Sequence, residues 1–193
     1  MNNKRSMSTE KMVFVAIMTA LVVLLQTMAI VTRMFGLFSF SFVLVPIVLG
    51  AAVAGPTAGA WLGFVFGLMV FITGDAGAFL AVDVLGTIVT VMVKGVLAGL
   101  IAGLVYKMLS RFNTYGAVLA SAAICPIVNT GIFLLGCKLF FYETIVEWGV
   151  AAGFESVGKY MIIGLVGTNF IVEFAINLIL SPVILRLLKI KKA

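Results

Sequence analysis

Residues 44–68 read LVPIVLGAAVAGPTAGAWLGFVFGL, a run without a single charge. Two apolar segments flank AGPTAG. The Gly-Pro pair breaks a helix there, because proline lacks an amide N–H and its ring blocks the preceding turn. From the break onward, Gly55, Gly59, Gly63 and Gly67 recur at every fourth residue. That spacing is close to one helical turn, so the glycines share a face. Such a ridge is the GxxxG pattern by which membrane helices approach closely. The stretch predicts two apolar helices joined by a tight turn and packed against neighbours, and KGVLAGLIAG repeats the theme with Gly95, Gly99 and Gly103.

The rest of the chain has the same character. Of 193 residues, 63% are hydrophobic and 10% are charged, and the mean hydropathy is +1.27. Soluble domains are roughly half apolar and a quarter charged. Long apolar runs define a polytopic membrane protein, and no stretch has linker composition. The chain reads as one all-α membrane domain, 1–193, with a tail at 1–11 and six spans at about 12–31, 42–54, 57–73, 82–106, 115–141 and 159–188. The second span is short for a crossing of about 20 residues, and its start is expected to reach back through LFSFSF.

Lysine and arginine orient the bundle. With six spans, both termini share a side, which then holds Lys4, Arg5, Lys11, Lys107, Arg111, Arg186, Lys189, Lys191 and Lys192. The other side holds Arg33, Lys138 and Lys159. Positive residues concentrate on the cytoplasmic side, so both termini are expected in the cytoplasm and the protein in the cell membrane. The outside segments are then TRMFGLFSFS, TGDAGAFLAVD and FYETIVEWGVAAGFESVGK. The last is long enough for a lid, and equally suits an interfacial segment anchored by its aromatics.

The net charge of +6 does not point to nucleic acid, because the charges sit between apolar runs. Histidine is absent, which removes Ser-His-Asp and Cys-His catalysis and the HExxH metalloprotease pattern. Cys125 and Cys137 lie in one apolar run and read as packed thiols, with no metal or disulfide pattern. No cofactor motif is present, and the N-terminus lacks a cleavable signal pattern.

The informative residues interrupt the apolar runs. In TNFIVEFAINLIL, residues 168–180, Asn169, Glu173 and Asn177 fall on one helical face. Asp83, Thr87, Thr90 and Lys94 form a second stripe, and Asn129 follows Pro126 in the fifth span. A charge at the bilayer centre costs roughly 2.5 to 3.5 kcal/mol, so Lys94 and Glu173 are expected to face the bundle interior. Two readings stand. Lys94 and Glu173 pair directly while the amides bridge helices, or the three stripes line a polar cavity open to the outside.

The chain resembles the substrate-binding S components of energy-coupling factor (ECF) vitamin transporters. The resemblance covers nearly the whole chain and rests on its length, its six spans, Leu44 to Leu68, and Ala16-Ile17-Met18-Thr19-Ala20. The last is similar to the AxxxA patch with which the family's first helix docks on the T component. The resemblance implies a binding subunit that is not an enzyme and takes no cofactor. It implies binding of a small water-soluble vitamin on the outer side, with a T component and two separate ATPase subunits as partners. This chain lacks GxxxxGK[ST], the phosphate-binding loop of such ATPases. Arg33, Asp83, Thr87, Asn129, Trp148, Asn169 and Glu173 are the expected ligand contacts. Lys94 and Asn177 are expected to lie deeper in support, and Ala16 and Ala20 to form the docking patch. Pantothenate and riboflavin rank first as substrates. The rivals are a stand-alone ion-coupled transporter, which copurification with ATPases would exclude, and a membrane enzyme, for which the acids are too scattered.

Overall fold

The computed structural model describes residues 8–34 and 42–190, without the side chains of 31–34, 189 and 190. Among the described residues nine α-helices follow one another: α1 (Thr9–Met34), α2 (Leu44–Ala54), α3 (Pro56–Ile72), α4 (Gly77–Leu80), α5 (Val84–Leu109), α6 (Thr114–Phe140), α7 (Tyr142–Ala151), α8 (Val157–Lys159) and α9 (Gly167–Ile190). A π-helical segment, Tyr160–Leu165, lies between α8 and α9. No strand occurs among the described residues.

The helix starts follow from their sequences. Gly55 at φ 102° makes the turn that only glycine takes without strain, and Pro56 opens α3, where a missing N–H costs nothing. Asp83 caps α5 by accepting from the Gly86 amide at 3.0 Å. Asn113 caps α6 through the amides of Tyr115 and Gly116 at 2.9 and 3.3 Å. Each cap satisfies amides that the first turn leaves without a helical partner.

α5 is the centre of the bundle, packed along α3 on one side and α6 on the other. The glycine ridge acts as its spacing predicts. Gly59 and Gly63 of α3 lie against the carbonyls of Gly99 and Gly95 of α5, so close that a Cβ at any of the four would overlap backbone. Lipid is as apolar as a leucine side chain, so no hydrophobic force holds two such helices together. Close backbone packing does it instead. The other side of α5 is tied to α6 by the buried Ser121 hydroxyl, which donates to the Ala102 carbonyl at 2.8 Å.

Among the described residues, four helices are long and apolar enough to cross a membrane: Thr9–Ile30, Val84–Leu109, Thr114–Phe140 and Gly167–Leu188. Together with the outward-facing Leu24, Trp61, Leu85 and Leu104, they give the molecule an apolar exterior suited to lipid. α2 and α3 are shorter, at 11 and 17 residues. α2 spans only about 16 Å at 1.5 Å per residue, against about 30 Å of hydrocarbon. Its Leu44, Ile47 and Val48 are wholly buried in the bundle. The LFSFSF extension expected for the second span lies outside the described residues, apart from Phe42.

The last span differs from its expected range of 159–188. The chain is π-helical from Tyr160 to Leu165, breaks at Val166 with φ −122°, and only then enters α9. Gly164 lets the Tyr160 ring lie against the backbone of this segment. The long third outside segment is helical for much of its length, as α7, and turns at Gly153 with φ 77°.

Candidate functional site

A cavity of about 540 Å³ lies among α1, α3, α5, α6 and α9, with α4 and the Phe141 junction at one end. Each helix contributes from a particular face. α5 presents Thr87, Thr90, Val91 and Lys94, which is the predicted stripe without its first member. α6 presents Asn129, Thr130 and Phe133, and α9 presents Asn169 and Phe170. α1 brings Gln26 and Ala29, and the turn after α3 brings Asp75 and Ala76.

The polar lining falls into two groups. One is a ladder at the α1–α3 edge, where Gln26 donates to the Asp75 carboxylate and, at 3.4 Å, to the Thr73 hydroxyl. The other is less fully bonded. Thr90 Oγ1 and Asn129 Oδ1 are buried and have no hydrogen-bond partner, although both residues line the cavity. A buried polar atom without a partner costs about 1 to 3 kcal/mol, and beside a cavity a ligand can supply the missing bond. Asn177 Oδ1 is also without a partner, but it lies away from the cavity. Lys94 extends over the Phe133 ring at 4.9 Å and the Phe66 ring at 5.8 Å. These cation–π contacts offset part of the cost of a charge at this depth.

An aromatic cluster closes one end. Phe79 of the four-residue α4 meets Phe133, Phe141 and Trp148 edge to face, with ring centroids 5.4, 5.1 and 5.4 Å away. Phe79, Phe133 and Phe141 line the cavity.

The stretch TNFIVEFAINLIL is bonded to itself. Asn169 Nδ2 donates to Glu173 Oε1 at 3.3 Å, and Asn177 Nδ2 donates to the Glu173 carbonyl at 2.8 Å. Of the expected ligand contacts, the fold brings Thr87, Asn129 and Asn169 to one cavity, and Lys94 joins them directly instead of supporting from below. Glu173 is buried behind Asn169 and is not among the lining residues. Asp83 sits at the α5 N-terminus, where its carboxylate is used in the cap. Trp148 packs on Phe79 and not on the cavity wall. Asn177 is fully buried beyond the cavity. The Arg33 side chain lies outside the described residues. Lys94 forms no ion pair with Glu173 among the described residues, contrary to the direct-pairing reading.

Sequence reasoning missed Gln26, Asp75 and the phenylalanines. Gln26 carried one available signal, an amide inside an otherwise apolar first span. Ala16 and Ala20 face outward on α1, and Ala16 lines a shallow groove with Thr19, Ala58 and Trp61. Cys125 and Cys137 are buried free thiols packed in the core.

Long apolar helices around a polar cavity make this a multi-pass membrane protein. A family model for the ECF transporter, substrate-specific component, matches residues 10–185, and the chain belongs to that family. It is thus a substrate-specific membrane subunit of an ECF transporter. Searches of curated proteins and of solved structures found no match.

Proposed function

We propose that this subunit binds a small water-soluble vitamin in the cavity between Thr90, Lys94, Asn129 and Asn169, and delivers it inward with a T component and two ATPase subunits. The observation that carries the reading is a cavity of about 540 Å³ lined by Lys94, Thr90 and Asn129, the last two with side-chain oxygens that have no hydrogen-bond partner. Aromatic walls with a few convergent polar groups are what a small-molecule site needs. Pantothenate and riboflavin are the leading candidates, since both combine polar groups with an apolar portion.

The proposal includes a topology of six crossings with both termini in the cytoplasm, supported by the nine-to-three distribution of lysine and arginine. In that orientation Asp75, Phe79 and Phe141 stand at the outer end of the cavity, so the substrate enters from outside. Outward-facing Ala16 and Ala20 leave room for a helix of the T component to approach α1.

Native mass spectrometry of the detergent-purified protein, with identification of any released compound, tests this reading. A vitamin at one per chain is the expected result. An empty protein that also gains no thermal stability from a vitamin panel would refute it, because a ligand of the native state must stabilise that state.

A further inference from the structure

We infer that the substrate carries an anionic oxygen group, a carboxylate or a phosphate, that pairs with Lys94, and an N–H or O–H donor that meets Asn129. The inference rests on the proposed function in taking this cavity as the substrate site, and it goes further in fixing the charge of the substrate.

Lys94 is the one cation among the described lining residues. Its ammonium has three N–H donors, yet among the described residues it makes no hydrogen bond and no ion pair. Its contacts are the faces of Phe66 and Phe133, which can share a charge but cannot accept an N–H in line. The nearby carboxylates have other partners: Asp75 accepts from Gln26, and Glu173 accepts from Asn169. Both carboxylates attract the ammonium from beyond bonding distance, and neither fills its N–H donors. An oxygen acceptor on the ligand would fill them, and a charge-assisted bond to an anionic oxygen is the stronger kind.

The second half follows from Asn129. Its Oδ1 is an acceptor only, buried and without a partner, so the ligand atom that reaches it must be a donor. Thr90 Oγ1 can donate or accept. The rings of Phe66 and Phe133 flank the ammonium and suit an apolar stem next to the anion. The geometry describes a small organic acid with a hydroxyl or amide beyond its stem. Pantothenate has these features. Riboflavin has no anionic group.

The test compares acids with their neutral counterparts by equilibrium dialysis on the full-length purified protein. The pairs are pantothenate and pantothenol, biotin and biotinamide, and nicotinate and nicotinamide. Riboflavin, thiamine and any compound that copurifies with the protein complete the set. An acid is expected to bind about 10- to 100-fold more tightly than its neutral counterpart, the range for hydrogen bonds to a charged group. Lys94→Met should weaken the acid far more than the neutral compound and bring the two to similar affinity. Lys94→Arg, which keeps the charge, should preserve the preference. Equal binding of acid and neutral compound overturns the inference. So does a neutral or cationic ligand whose affinity is unmoved by Lys94→Met, and in that case the cavity as a substrate site survives. If no compound binds and none copurifies, the proposed function falls, and this inference with it.

Discussion

The two faces of α5 use neighbouring residues in opposite ways. Gly95 and Gly99 face α3 and meet Gly63 and Gly59 in backbone contact. One residue before Gly95, Lys94 opens into a cavity whose polar groups are incompletely satisfied. The first face is finished by folding alone. The second lines a cavity with side chains whose hydrogen-bonding groups are not all used, and a ligand can use them. The lesson is that closeness of packing separates scaffold from site here, because polarity alone does not: Asn177 of the α9 stripe donates to the Glu173 carbonyl and has a buried Oδ1 without a partner, yet it lies away from the cavity.

The contrast can be broken most severely on the glycine face. Gly63→Leu places a side chain where the Gly95 carbonyl already lies, and backbone cannot step aside as a flexible side chain can. A cost of about 3 kcal/mol or more is expected, at the upper end of overpacking effects. It should be visible as loss of monodisperse protein in size-exclusion chromatography. On the other face, Asn129→Ala removes an atom that folding has left unpartnered. Folded stability should hold or rise slightly, while ligand affinity falls on the order of 10-fold, the worth of a hydrogen bond of about 1.4 kcal/mol. Titration calorimetry and thermal unfolding on the same sample separate the two effects.

Two smaller changes sharpen the boundary of the site. Asp83→Ala should lower stability by about 1 kcal/mol through loss of the α5 cap and leave ligand affinity unchanged, because Asp83 does not line the cavity. A matching loss of affinity would return Asp83 to the site. Glu173→Gln keeps an oxygen for Asn169 and removes the charge. A change of only a few-fold in affinity is expected, since Asn169 stands between Glu173 and the cavity. A loss as large as that of Asn129→Ala would mean that the Glu173 charge acts on the ligand directly.

Much of this arrangement was legible in the sequence for physical reasons. A lysine cannot face lipid cheaply, so Lys94 had to mark an interior face, and its helical spacing brought Thr87 and Thr90 with it. Glycines at every fourth position in two segments marked the two halves of one interface. Other features leave no local trace. The Gln26–Asp75 bond joins residues 49 apart in sequence, and a lone glutamine has no periodic partner to announce it. Phe79 gains its role from a four-residue helix whose place is set by tertiary packing. Trp148 was expected at the ligand because aromatics in long outside segments suit lids, but its segment folds as α7 and spends the ring on Phe79. The break at Val166 was hidden because residues 160–166 are nearly all apolar, and a continuous apolar run does not distinguish one helix from a π-helical segment followed by another.

The central claim is that the substrate sits in the cavity against Thr90, Lys94 and Asn129. The most direct measurement is an experimental structure of the protein holding the compound it retains on purification. The account predicts density for that compound between Thr90, Lys94 and Asn129, with the Phe133 ring alongside. Density only in the grooves beside α1, with Thr90 and Asn129 still lacking partners, would contradict it.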